Sequence, residues 1–78
     1  MCYIDISFNK MPKTYCTRSY GKFISFAEAK RICIRESYCN GIYDKGCDGG
    51  NFNLCDIAVG YIGVKWANDC VYDKRGNL

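Results

Sequence analysis

The most chemically distinctive residues of this sequence are its seven cysteines, in a chain that has no histidine. Zinc sites usually take cysteine or histidine ligands in pairs two to four residues apart, and redox motifs use the CxxC spacing. Neither pattern occurs here, so the spacing indicates disulfide bonds made in an oxidising compartment. The cysteines are Cys2, Cys16, Cys33, Cys39, Cys47, Cys55 and Cys70.

Seven cysteines cannot all pair within one chain, because three disulfides leave one cysteine over. In a secreted protein, a leftover cysteine indicates a bond to another chain or a reactive thiol. A partner cysteine in a longer parent protein would also explain the odd number. The residues alone therefore leave the pairing open.

The sequence offers no recognisable set of catalytic residues. Without histidine, a serine or cysteine nucleophile lacks its usual base. There are only two glutamates, and Glu28 stands where it would cap a helix. A small disulfide-bonded module also seldom forms the deep pocket that paired carboxylates need. We expect no enzymatic activity and no cofactor.

A glycine-rich turn at residues 46–51 is flanked by side chains with oxygen atoms, which suggests a calcium-binding loop. An EF-hand loop needs a glutamate at its twelfth position, but counting from Asp44 that position is Cys55. A looser site would use Asp48 and Asn51. We favour a turn-forming role for these residues and predict no metal site.

Aromatic residues give the clearest indication of binding, since seven tyrosines and one tryptophan exceed what so small a core can bury. Exposed tyrosine and tryptophan beside asparagine, aspartate and arginine are typical of recognition surfaces, and sugars stack on such rings. The basic, aromatic segment 14–23 is the first predicted contact edge. The predicted ligand-binding residues are Arg18, Tyr20, Lys22, Tyr43, Asp48, Asn51 and Trp66.

Charge and hydropathy argue against two classes of partner. The net charge of +3 is scattered along the chain rather than gathered into the basic stripe of a nucleic-acid-binding protein. The longest uncharged apolar stretch, residues 58–64, is far shorter than the roughly 20 residues that span a bilayer. We therefore expect neither nucleic-acid binding nor membrane insertion, and we expect a mature, secreted sequence from which a signal peptide has been removed.

Local patterns predict one helix and several strands. Ser25 and Glu28 form a capping box, followed by a helix over 26–36 that buries Phe26, Ala29 and Cys33 with Ile32 beside them. Alternation predicts strands at 2–8, 38–44, 52–58 and 70–73, with residues 60–68 left as loop or irregular strand. Residues 1–78 are thus expected to form a single α+β domain, with one helix packed on a small, mostly antiparallel sheet. Disulfides must supplement its small core.

The order of these elements resembles the PAN/apple superfamily, especially the divergent PAN-like modules of extracellular proteins. The shared frame is a helix carrying a cysteine, a strand that opens with a cysteine, and a hairpin that ends in one. The resemblance covers residues 20–73, and it is carried by segments 25–30, 38–44, 47–49, 53–55 and 70–72 together with Cys33.

The resemblance implies a disulfide pattern as well as a PAN/apple-like fold. Carried over by position, it implies the pairs Cys33–Cys55, Cys39–Cys47 and Cys2–Cys70. Cys16 is then the odd cysteine, which departs from the family frame, although Cys16 is an alternative to Cys2 as the partner of Cys70. An unpaired, exposed Cys16 would allow a disulfide-linked homodimer.

The function that the resemblance implies is recognition or adhesion at the cell surface or in secreted proteins. The partner would be a carbohydrate, bound in a lectin-like manner, or an extracellular protein. The alternative is a free-standing secreted effector, such as an inhibitor or toxin, for which small disulfide scaffolds are also common. A structural matrix protein is a third reading, suggested by the tyrosine and glycine content.

Overall fold

The computed structural model describes residues 5–77, which form one α-helix and seven β-strands. The elements are β1 (Asp5–Pro12), β2 (Thr14–Cys16), β3 (Ser19–Phe23), α1 (Phe26–Arg35), β4 (Cys39–Asp44), β5 (Phe52–Asp56), β6 (Tyr61–Gly63) and β7 (Cys70–Asn77). A 3-10 turn at Lys45–Cys47 follows β4. The predicted α+β class, with one helix on an antiparallel, disulfide-stapled sheet, is confirmed.

Five strands form an antiparallel sheet in the order β1-β7-β4-β5-β3. Helix α1 covers one face of this sheet. Ile42 and Leu54 point from the sheet toward Ala29 and Cys33 of the helix, and all four side chains are buried. This contact is the main hydrophobic core.

The opposite face of the sheet is covered by the two-stranded ribbon β2–β6. Cys55 and Val71 are buried on this side, against Cys16 of β2 and Tyr61 of β6. The Tyr61 hydroxyl also donates a hydrogen bond to the Asp73 carboxylate, at 2.8 Å. Since side chains alternate across a strand, one sheet supports both the helix layer and the ribbon layer.

The helix follows the sequence prediction closely. It ends at Arg35, one residue before the predicted boundary, and the hydroxyl of Ser25 accepts a hydrogen bond from the Glu28 amide at 3.3 Å. Ala29 and Cys33 are buried, with Phe26 packed against the core beside them, so the predicted apolar face is confirmed. Among the described residues, no helix is long and apolar enough to cross a membrane.

Strands β2 and β3 were not predicted, and β6 lies in the segment 60–68 that the prediction left as loop or irregular strand. The ribbon pairs Tyr15 with Ile62, which are distant in the sequence, so no local pattern announces it. Strand β7 continues beyond its predicted end because it pairs with β1 along all eight residues. Residues 2–4 of the first predicted strand lie outside the described residues.

The disulfides are Cys16–Cys55, Cys33–Cys39 and Cys47–Cys70. The predicted pairs Cys33–Cys55, Cys39–Cys47 and Cys2–Cys70 are therefore wrong, as is the alternative pairing of Cys16 with Cys70. Cys16 is not the odd cysteine, so the predicted homodimer linked through Cys16 is also wrong. Cys2 lies outside the described residues.

Strand geometry explains the corrected pairing. Cys55 points toward the ribbon while its neighbour Leu54 points toward the helix, so Cys33 cannot reach Cys55. The short helix-to-strand connection instead brings the Cα of Cys39 to 5.2 Å from that of Cys33. Cys39 opens β4, a six-residue strand that spans about 20 Å, and Cys47 ends the turn that follows the far end of that strand, so Cys39 cannot reach Cys47.

Candidate recognition site

The predicted ligand-binding residues fall in three separate regions of the structure. One group lies on and beside the edge strand β3, a second lies at the end of β4 and in the turn after it, and Trp66 lies between β6 and β7. The structure therefore does not assemble them into one site, and each region has its own geometry.

At the β3 edge, Tyr20 and Tyr38 form an exposed aromatic pair. Their ring centroids are 5.4 Å apart and their planes are nearly perpendicular, with 42% and 38% of the two residues exposed. They line an open cavity of about 350 Å³, which is within the size range of small-ligand sites. We call this cavity the tyrosine cleft. Tyr38, which follows the helix, was not among the predicted residues.

The buried carboxylate of Asp56 organises the cleft. Its Oδ2 accepts hydrogen bonds from the Tyr20 hydroxyl at 2.6 Å and from Arg18 at 3.3 Å, and its Oδ1 accepts from the Ala58 amide at 2.9 Å. The hydrogen bond from Tyr20, followed by that from Ala58, lowers the pKa of Asp56, and the same contact with Asp56 raises the pKa of Tyr20. An ionised carboxylate thus holds the Tyr20 ring in place.

A cation and an apolar side chain adjoin the two tyrosines that line the cleft. The Arg18 side chain is 59% exposed, and its planar guanidinium carries five N–H donors, more than the contact with Asp56 uses. Ile57 is 57% exposed, and its amide donates to the carbonyl of Tyr38 at 2.9 Å. The cleft can therefore stack a ring on tyrosine while Arg18 donates hydrogen bonds. The third predicted residue of this region, Lys22, is exposed on β3.

Tyr43 supports the fold from the other face of the sheet. Its hydroxyl donates to Asp69 Oδ2 at 2.6 Å, and the Gly46 amide donates to Asp69 Oδ1 at 2.7 Å. Burial and the contact with Asp69 raise the pKa of Tyr43, while the two hydrogen bonds lower the pKa of Asp69. These contacts assign Tyr43 a structural role between β4 and the segment before β7.

The two polar residues of the glycine-rich turn are exposed. Asp48 accepts a hydrogen bond from the Gly50 amide at 2.9 Å, which is the local contact that tightens a turn. Gly46 has a φ of +79°, a conformation that favours glycine. Asn51 is exposed at the end of the turn. The geometry supports the turn-forming role that the sequence favoured.

Trp66 is 76% exposed and lies beside the outer face of the ribbon. Its ring centroid is 6.5 Å from that of Tyr15, which is paired across the ribbon with the exposed Ile62. We call these three residues the ribbon patch. A smaller cavity of about 210 Å³ lies next to the residues that follow Trp66, lined by Pro12, Lys13, Cys47, Ala67, Asn68 and Asp69.

The fold and these surfaces define a small disulfide-stapled α+β protein with two exposed aromatic regions. No protein-family model, curated protein or solved structure matches the chain. The PAN/apple resemblance therefore stays a prediction, and the disulfide pairs that it implied are not those of the structure.

Proposed function

We propose that this chain is a secreted or cell-surface recognition module that binds a carbohydrate or protein partner at the tyrosine cleft, without catalysis. The observation that carries the proposal is the exposed pair Tyr20 and Tyr38, arranged around a cavity of about 350 Å³. Three intramolecular disulfides are compatible with an oxidising, extracellular environment.

The rigidity of the cleft favours binding. Asp56 already holds the Tyr20 side chain in place. Binding of a ligand to this ring therefore costs little additional side-chain entropy of the protein. Tyrosine and arginine are also enriched among the residues that dominate interface energies. A sugar ring or a planar side chain would lie on the tyrosines, and its oxygen atoms would accept hydrogen bonds from Arg18.

The PAN/apple resemblance implies the same class of function, adhesion through carbohydrate or protein contacts, but the disulfide pairs that it implies are not those of the structure. The proposal does not depend on it. The cleft is lined by Tyr20 and Tyr38, and Asp56 holds both Tyr20 and Arg18, whatever the family of the fold.

The alternative, a secreted inhibitor or toxin, is favoured by the ribbon patch. Trp66 exposes 76% of its surface, although tryptophan is usually well covered in folded proteins. A protruding indole can insert into a pocket on a partner and act as an anchor. In this reading the partner provides the cavity, whereas at the tyrosine cleft this chain provides it.

Binding screens with matched variants separate these functions. The disulfide-intact protein is labelled and applied to a glycan array and to an array of extracellular proteins, alongside Tyr38→Ala, Trp66→Ala and Ile24→Ala. Ile24 is 80% exposed and precedes the helix, at the opposite end from Tyr38, so it controls for loss of an exposed apolar group. Binding that Tyr38→Ala alone abolishes supports the recognition module. Loss with Trp66→Ala alone supports the effector, and binding that survives Tyr38→Ala overturns the cleft proposal.

A further inference from the structure

A buried carboxylate lies against the Cys47–Cys70 disulfide. Asp44 is 2% exposed and Cys70 is fully buried, with Asp44 Oδ2 at 4.0 Å from the Cys70 Sγ. A carboxylate oxygen of Asp44 and the sulfur atoms of Cys47 and Cys70 all lie within 4.8 Å of one another. Once the Cys47–Cys70 disulfide is reduced, these residues supply three groups that can bind a metal ion at one point.

One oxygen of this carboxylate is unsatisfied. Asp44 Oδ2 accepts a hydrogen bond from the Gly49 amide at 3.0 Å, but Oδ1 has no hydrogen-bond partner among the described residues. Asp44 also takes part in none of the ion pairs formed among the described residues. A buried carboxylate with an unpartnered oxygen is unfavourable, and a cation bound at Oδ2, the oxygen near the Cys70 sulfur, would offset the buried negative charge that both oxygens share.

We infer that reduction of the Cys47–Cys70 disulfide turns this cluster into a site for a zinc-class divalent metal ion. The ligands would be the thiolates of Cys47 and Cys70 and the carboxylate of Asp44. Zinc binds cysteine sulfur and aspartate oxygen, and sites with three protein ligands keep a fourth position for water. This inference does not depend on the proposed function.

Access favours this disulfide over the other two. Cys47 is half-buried in an exposed turn, whereas both cysteines of Cys16–Cys55 and of Cys33–Cys39 are buried. A reducing thiolate must reach a sulfur atom to begin exchange. Reduction therefore begins at Cys47, with the buried Cys70 as the leaving sulfur.

The chemistry balances with a thiol reductant, either a dithiol or two monothiol molecules. The reductant supplies two electrons and two protons, becomes a disulfide, and leaves Cys47 and Cys70 as thiols after their S–S bond breaks. The metal ion then displaces both thiol protons into solvent and binds the two thiolates. Without the metal, two thiolates would repel each other and the Asp44 carboxylate. The metal therefore stabilises the reduced state.

Redox titration of the whole chain tests this coupling. The protein is equilibrated in glutathione buffers with and without buffered zinc, and thiols are trapped by alkylation and located by peptide mass spectrometry. We expect zinc to shift the midpoint potential of Cys47–Cys70 by at least 30 mV to more positive values, which is about a tenfold change in equilibrium constant. The other two disulfides should keep their potentials.

Cobalt absorption reports thiolate ligands, and a matched pair of variants tests Asp44. The reduced chain should bind Co²⁺ and show a thiolate-to-cobalt charge-transfer band. Asp44→Asn should weaken Co²⁺ binding at least tenfold. The control Asp48→Asn, in the exposed turn, should leave Co²⁺ binding unchanged. The inference is overturned if wild type shows no charge-transfer band, if zinc shifts no potential or shifts all three alike, or if Asp44→Asn binds as wild type does. If Asp44→Asn does not fold, the wild-type titrations decide alone.

Discussion

The ammonium group of Lys74, on strand β7, donates hydrogen bonds to the main-chain carbonyl oxygens of Cys33 and Glu36 at the end of helix α1. A positive charge is favourable at this end because the helix dipole is negative there. Partial burial lowers the pKa of Lys74, since desolvation disfavours the ammonium form. The sheet thereby fixes the end of the helix, just before Tyr38 enters the cleft.

Removing this contact should destabilise the protein. Lys74→Met keeps the aliphatic stem but removes the donors, so we expect the free energy of unfolding to fall by about 1–2 kcal/mol. Urea unfolding measures the change. Lys22→Met, at an exposed position on β3, is the control and should alter stability by less than about 0.5 kcal/mol. Equal effects of the two substitutions would show that the Lys74 contacts contribute nothing.

The Tyr20–Asp56 hydrogen bond should contribute to stability as well as to the shape of the cleft. Tyr20→Phe and Asp56→Ala, combined in a double-mutant cycle, should show a favourable coupling energy, because each removes the same contact. Asp56→Ala alone should have the larger effect, since that carboxylate also binds Ala58. Strictly additive effects in denaturant unfolding would mean that the bond is not formed.

Asp69 should make part of the stability sensitive to acid. Hydrogen bonds from Tyr43 and Gly46 lower the pKa of Asp69 in the folded state. The contribution of Asp69 to the free energy of unfolding is therefore complete above its unfolded pKa of about 3.9. That contribution is lost as the pH falls through the lower, folded pKa. Asp69→Asn should therefore cost about 1 kcal/mol at neutral pH, and its deficit relative to wild type should shrink at about pH 3. A deficit that is the same at both pH values would contradict this.

The three disulfides should differ in their contribution according to loop length. Their sequence separations are 39 for Cys16–Cys55, 23 for Cys47–Cys70 and 6 for Cys33–Cys39. Chain entropy gives stabilisations of about 4, 3 and 2 kcal/mol in that order. Replacing each pair by alanine, with thermal unfolding as the measurement, should reproduce the ranking. The largest loss from removing Cys33–Cys39 would contradict it.

Local signals were enough to predict the helix and the central strands. Ser25 caps the helix that begins directly after it, and the buried residues Ala29 and Cys33 of α1 recur at helical spacing. Phe52 and Leu54 alternate with residues on the other face of β5, so the strand and its buried side are both readable. These features depend on neighbours in the sequence.

The ribbon and two of the disulfides depend on distant neighbours, which is why they were missed. Cys33 and Cys39 are only six residues apart, and this pair was missed because the PAN/apple resemblance assigned both cysteines other partners. Each ribbon strand has only three residues and is defined by its partner. Cys55 pairs with Cys16 because its side chain points to the face of the sheet that the ribbon covers. The sequence alone does not show that the ribbon lies on that face. The cleft was half predicted: Arg18 and Tyr20 lie in the basic, aromatic segment, but Tyr38 joins them only through the fold.

The most direct test of the proposed function is the affinity of the strongest glycan or protein ligand from the arrays for wild type, Tyr38→Ala and Ile24→Ala. Tyr38→Ala opens the cleft and removes the stacking surface of the Tyr38 ring. We therefore expect the dissociation constant to rise at least tenfold, which is about 1.4 kcal/mol of binding free energy. Ile24→Ala should bind within about twofold of wild type. Circular dichroism and disulfide mapping would verify that both variants are folded. Equal affinities of the three proteins would contradict recognition at the tyrosine cleft.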